Sequence, residues 1–121
     1  DIAPSAKPCT TIFCSDTNAD GDEPEMRWWH DANGFVDTYI AQNPKLSAAP
    51  RNGMTWSSDN PLTRGHLTEP DQRVDFVSVR PARHHEVEVL SSKIVFDEAP
   101  VSDHYGVLTE LRIGSRCELA L

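Results

Sequence analysis

From residue 74 onward the chain alternates with period two, and this narrows the folds open to it. In RVDFVSVR, Val74, Phe76 and Ser78 alternate with Asp75, Val77 and Val79. A strand is expected there, with one acid on an otherwise apolar face and Pro81 as its end. HHEVEVLSSKIVF alternates at Val87 and Val89 and resumes after Ser91 and Ser92, predicting a bent strand or two short ones. HYGVLTELRI puts Tyr105, Val107, Thr109 and Leu111 on one face and Leu108 on the other, which predicts a final strand.

The first half reads differently. CTTIFC, residues 9–14, is a β-branched and aromatic run that stops in the polar segment SDTNADGDEP, so a strand runs into a loop. Asp22 is placed to cap a helix with Pro24 in its first turn, EMRWWHDA as its body, and Asn33 with Gly34 as an αL stop. Met26 and Trp29, with Trp28 or His30 beside them, form the expected inward stripe. FVDTYIAQNP is a short extension after this helix. Residues 43–72 form a long irregular stretch rich in Pro, Asn, Ser, Gly and Asp, a kind of loop commonly tied to function. The element order predicts a mixed α/β layered structure.

With 121 residues the chain is a single domain at most, and at that length roughly two-thirds of the unfolded surface can be buried. It is 38% hydrophobic and 25% charged, with no apolar run long enough to cross a membrane. DIAPSAKP lacks the basic start and apolar stretch of a signal peptide, but a processed one leaves no trace, so cytoplasmic and secreted locations both stand for a soluble chain. The net charge of −8 argues against tight sequence-independent nucleic-acid binding. It leaves room for a metal-dependent phosphoesterase, whose site needs clustered carboxylates. Cys9, Cys14 and Cys117 have no metal-type spacing and suggest no disulfide framework; Cys14 reads as a small buried hydrophobe.

Acids and amides recur at strand ends: Asp16 and Asn18 after the first strand, Asp75 within the next, and Asp103 with His104 before the last. If these strands are neighbours in one sheet, the groups converge at one rim. Carboxylates and an amide oxygen suit a hard cation such as Mg2+, and a His held by a carboxylate serves as a base or stabilises charge. Each short motif has a plainer reading: SDTN as an Asx turn, SDH as a loop in which Ser or Asp caps local backbone.

In order along the chain, CSDTNAD, GMTWSSDNPL, PDQRVDFVSVRP and KIVFDEAPVSDHYGVLTEL resemble the C-terminal part of the endonuclease/exonuclease/phosphatase family, the DNase I-like metal-dependent phosphoesterases. The resemblance runs from about Cys9 to Ile113. It implies an α/β fold, the C-terminal half of a four-layer α/β sandwich, with residues 1–121 forming that half. The N-terminal half, which carries a metal-binding Glu, is then a partner supplied by a separate or cleaved chain. Unpaired apolar sheet surface on VDFVSV and VLTEL is the expected sign of that missing half.

Residue by residue, the resemblance implies that Asp16 activates the attacking water or handles the leaving group, and that Asn18 contacts the phosphate. Asp75 would orient the catalytic His, Asp103 would bind metal or water, and His104 would act on the scissile phosphate. Where the family has GDFN this chain has SDTN, with Ser15 for Gly and Thr17 for Phe, which alters the turn but keeps both chemical residues. Trp56 and Asn60 fall in a loop near the family's active site and would contact substrate, with an aromatic anchor for a long loop as the alternative for Trp56.

The implied activity is Mg2+-dependent hydrolysis of a phosphodiester or phosphomonoester by in-line water attack, with Mn2+ or Ca2+ as substitutes. The motifs are closest to the sphingomyelinase-like and uncharacterised hydrolase branches. A DNase-type nuclease and a catalytically dead binding module are the rivals. His84 and His85 read as exposed strand-edge residues, His30 and His66 have no partners at ligand spacing, and Asp20 and Asp22 fail the spacing of an EF-hand.

Overall fold

The protein is described from a computed structural model, over residues 2–45, 53–63 and 69–116. His66 and Cys117 therefore lie outside the described residues. The elements are β1 (Thr11–Asp16), α1 (Pro24–Asn33), β2 (Val36–Asp37), α2 (Thr38–Gln42), a 3-10 turn (Pro61–Thr63), β3 (Asp75–Arg80), β4 (His85–Val95) and β5 (Gly106–Ser115). They make two antiparallel sheets, one of order β1-β3-β2 and one of β4 with β5.

The expected half of a four-layer α/β sandwich is not what forms. That architecture needs helices over the outer faces of both sheets. Here the described residues give two short helices and a few antiparallel strands in two small sheets. Nor does VDFVSV present an unpaired face: β3 is the central strand of its sheet, and Phe76, Ser78 and Val79 are buried.

One face of the first sheet is closed by α1. Phe13 and Trp29 lie 4.8 Å apart, Trp29 stacks on Phe35 at 4.7 Å, and the Arg80 guanidinium sits over Phe35 at 4.6 Å. Met26 is buried while Trp28 is 63% exposed, so the inward stripe is Met26, Trp29 and His30. His30 Nε2 lies 3.0 Å from Ser78 Oγ on β3, a partner the sequence did not disclose. The helix starts at Pro24 after Glu23, without a side-chain cap, so Asp22 is not its N-cap; Gly34 supplies the αL stop at φ 67°. Cys14 points outward from β1 and is exposed, contrary to its reading as a buried hydrophobe, because it sits on the face that α1 leaves uncovered.

The other face of β3 meets the second sheet through α2. Thr38, fully buried, donates to Val77 O at 2.7 Å, and its hydroxyl is 3.0 Å from Thr109 Oγ1 and 3.3 Å from Ser92 Oγ. β4 is one strand with a bulge: Val89 faces Leu111 and Ser91 faces Glu110, leaving Leu90 as the extra residue. The bulge switches the inward set on β4 from Val87 and Val89 to Ser92 and Ile94, so the strand keeps facing Ile113, Leu111, Thr109 and Val107 of β5.

Asp37 joins two elements. Its Oδ1 accepts the N–H groups of Tyr39 at 3.0 Å and Ile40 at 3.4 Å, capping α2, and its Oδ2 binds Arg73 Nη1 at 2.6 Å. Both side chains of this ion pair are only 11% exposed. Asp37→Ala strands a buried guanidinium and is expected to cost about 3–5 kcal/mol. Asp37→Asn keeps a capping oxygen and should recover about 1 kcal/mol of that loss. Urea midpoints of the three proteins measure both.

Candidate functional site

Asp16 ends β1 and Asp75 begins β3, and the two are direct cross-strand partners. Thr17 N–H donates to Val74 O at 2.8 Å just beyond them, the bonding that flanks a non-hydrogen-bonded pair, in which side chains approach most closely. Antiparallel pairing thus puts two carboxylates side by side. His104 reaches them from outside this sheet, because β5 pairs with β4. Convergence at the rim of one sheet, as the sequence suggested, is replaced by convergence between two sheets. Oxygens of Asp16 and Asp75 and a ring nitrogen of His104 all lie within 4.8 Å of one another.

His104 Nδ1 is 2.8 Å from Asp75 Oδ2, with the two side chains 27% and 22% exposed. A carboxylate only accepts, so Nδ1 carries the proton and Nε2 is left to face other chemistry. Burial lowers the basicity of His104, but the hydrogen bond and charge of Asp75, with the charges of Asp16 and Asp103, outweigh it and raise the pKa above the ordinary value.

The turn after β1 is an Asx turn. Asp16 Oδ1 accepts the Asn18 N–H at 2.9 Å, and Asn18 takes a left-handed φ of 48°. Thr17 replaces an expected aromatic, and its hydroxyl lies 2.9 Å from Val74 O, tying the turn to β3. Asp103 is exposed. Ser102 Oγ donates to its Oδ1 at 3.2 Å, and it contributes no atom to the three-residue group.

Trp56 and Asn60 are placed differently from a substrate contact. Trp56 is 6% exposed, and its backbone forms bridges to Gln72 and to His104. Asn60 is 1% exposed; its Nδ2 donates to Ser102 O at 2.9 Å and its Oδ1 accepts Leu62 N–H at 2.9 Å. Both amide ends are engaged inside the protein.

The donor set suits a hard cation in part. Two adjacent carboxylates match Mg2+, whereas His104 is committed through Nδ1 to Asp75, so an Asp16 and Asp75 pair with water would hold the ion. Compared with known proteins, the chain matches no family profile, no curated protein and no solved structure.

The raised pKa makes the His104 contribution to stability complete below about pH 6.5 and lost as pH rises through the raised value. His30 behaves oppositely. Burial, against the charge of Asp37, lowers its pKa, so its contribution is lost as pH falls from the ordinary value through the lowered one. Asp75→Asn should return the His104 pKa toward or below the ordinary value, read by NMR titration. The urea-midpoint gap between Asp75→Asn and the parent should shrink as pH rises past neutrality.

Proposed function

We propose that this chain carries catalytic residues of a divalent-cation-dependent hydrolase of phosphoric esters. One observation carries the reading: His104 Nδ1 lies 2.8 Å from Asp75 Oδ2 while an Asp16 oxygen lies within 4.8 Å of the pair. The order of motifs that resembles the endonuclease/exonuclease/phosphatase family supports the same chemistry.

A histidine fixed by a carboxylate through one nitrogen presents the other in a set direction. When His104 is protonated, a form that Asp75 stabilises relative to an ordinary histidine, its Nε2–H would donate to a phosphoryl oxygen as negative charge develops there. Asp16 has one oxygen engaged by Asn18 N–H, leaving Oδ2 to help hold a cation whose coordinated water would be the nucleophile. The Asn18 side chain, at the tip of the Asx turn, would donate to the same phosphoryl group. Asp103 adds an exposed carboxylate beside His104 for metal or water. Bound Mg2+ would withdraw charge from the phosphoryl oxygens and lower the pKa of a coordinated water. The partner in this reading is a chain that brings a further carboxylate to the Asp16 side. The net charge of −8 favours a small phosphoric ester over a long nucleic acid.

A panel of DNA, sphingomyelin, inositol phosphates and nucleotides, with Mg2+ and with chelator, tests the reading on the chain alone and with its flanking sequence or a copurifying chain. Hydrolysis should require the cation, fall by about 10²–10⁴-fold in His104→Ala, and fall by about 10–100-fold in Asp75→Asn with the fold intact by circular dichroism. Absence of Mg2+-dependent turnover across the panel, or a His104→Ala rate equal to the parent, removes it.

A further inference from the structure

Asp75 opens β3 of the first sheet and His104 precedes β5 of the second, so no common strand ladder fixes the distance between them. What joins them is the segment of residues 53–63. Thr55 is fully buried, and its hydroxyl oxygen accepts two amides at the entrance of β3, Val74 N–H at 3.0 Å and Asp75 N–H at 3.1 Å. β2 pairs with β3 only at Ser78 and Val79, so at Asp75 this hydroxyl stands where a neighbouring strand would otherwise accept. The carbonyl of the same residue accepts Tyr105 N–H at 2.6 Å, directly after His104.

Trp56 extends the join, exchanging backbone hydrogen bonds with Gln72 at 3.0 and 2.9 Å and bridging to His104. Asn60 completes it by holding Ser102 O at 2.9 Å, and Ser102 Oγ in turn accepts His104 N–H at 3.2 Å. Asp71 pins the middle of the segment, its carboxylate accepting Ser57 Oγ, Ser58 N–H and Ser58 Oγ at 3.1, 2.8 and 3.0 Å. Gly53 opens it at φ 81°, with the Tyr39 ring packed where a Cβ would stand.

We propose that residues 53–63 act as a clasp between the two sheets in which Thr55 and Asn60 are positioning residues, one holding the Asp75 backbone and the other the turn that carries His104. Their role in turnover rests on the hydrolase reading above; their role in holding the His104–Asp75 bond does not. A buried hydroxyl that accepts two amides leaves both unpaired when it is removed, and the strand start then shifts to find other partners. A displacement of that kind is felt first at the bond between Asp75 Oδ2 and His104 Nδ1.

Proton NMR of the folded chain reads this bond through the downfield His104 Nδ1–H resonance, with its 15N partner, and needs no catalysis. The resonance should be present in the parent and in Thr55→Ser, which keeps the hydroxyl. It should be lost, or moved upfield, in Thr55→Val and in Asn60→Ser. An unchanged resonance in folded Thr55→Val overturns the proposal. Where that variant does not fold, an unchanged resonance in Asn60→Ser overturns it, and so does loss of the resonance in Thr55→Ser. In kinetics, a positioning role lowers kcat by about tenfold in Asn60→Ser while KM holds. Loss of the resonance in variants of a protein that hydrolyses no ester leaves the clasp standing and removes the hydrolase.

Discussion

A buried hydroxyl ties the first sheet to the second. Thr38, at the start of α2, donates to the backbone of β3 and stands within 3.3 Å of hydroxyls on both β4 and β5. Ser92 and Thr109 are also 2.9 Å from each other, so three hydroxyls form a closed polar set inside an apolar interface. Such a set is costly if any member is unmatched, which makes it specific: a one-residue slip of β4 against β5 would set Ser91 or Lys93 across from Thr109 and turn Ser92 to the other face, away from Thr38. The bulge at Leu90 delivers Ser92 to the inside. β5 begins two residues after His104.

Around that junction the molecule divides its work. The aromatic stack of Phe13, Trp29 and Phe35 closes one face of the first sheet. The Asp37–Arg73 pair, beside the Phe76 ring, secures the start of α2, and so sets where Thr38 points. The segment of residues 53–63 fixes the two sheets at the end where the acids lie. Asp75 and His104 are partly exposed, while two of the residues that support them, Thr38 and Thr55, are fully enclosed.

What the sequence disclosed was local. β3, β4 and β5 were legible because alternation is a property of neighbours in the chain, and α1 because Pro24, the 3.6-residue stripe and Gly34 act within a few residues. The chemical residues were legible as types in order, and Asp16, Asp75 and His104 do come together. Which strands share a sheet was not, since pairing is chosen by tertiary packing; among the described residues β5 joined β4 in a two-stranded sheet, and the four-layer expectation failed with that choice. Asn60 and Trp56 were read as substrate contacts because a polar or aromatic side chain in a loop looks the same whether it faces a ligand or a neighbouring turn. Thr55 carried no signal at all: its two amide partners begin a strand that is remote along the chain.

The position of β1 has a consequence for how such a site can be completed. Among the described residues β1 pairs only with β3, so its outer edge keeps a row of backbone donors and acceptors, with Ile12 half exposed along it. Any extended segment that adds to this edge sets one of its own residues directly across from Asp16, on the face shared with Asp75, at the spacing of a cross-strand neighbour. Backbone zippering would then deliver a side chain to the carboxylates without further design, so that recruitment of a strand and composition of the ligand shell become a single event.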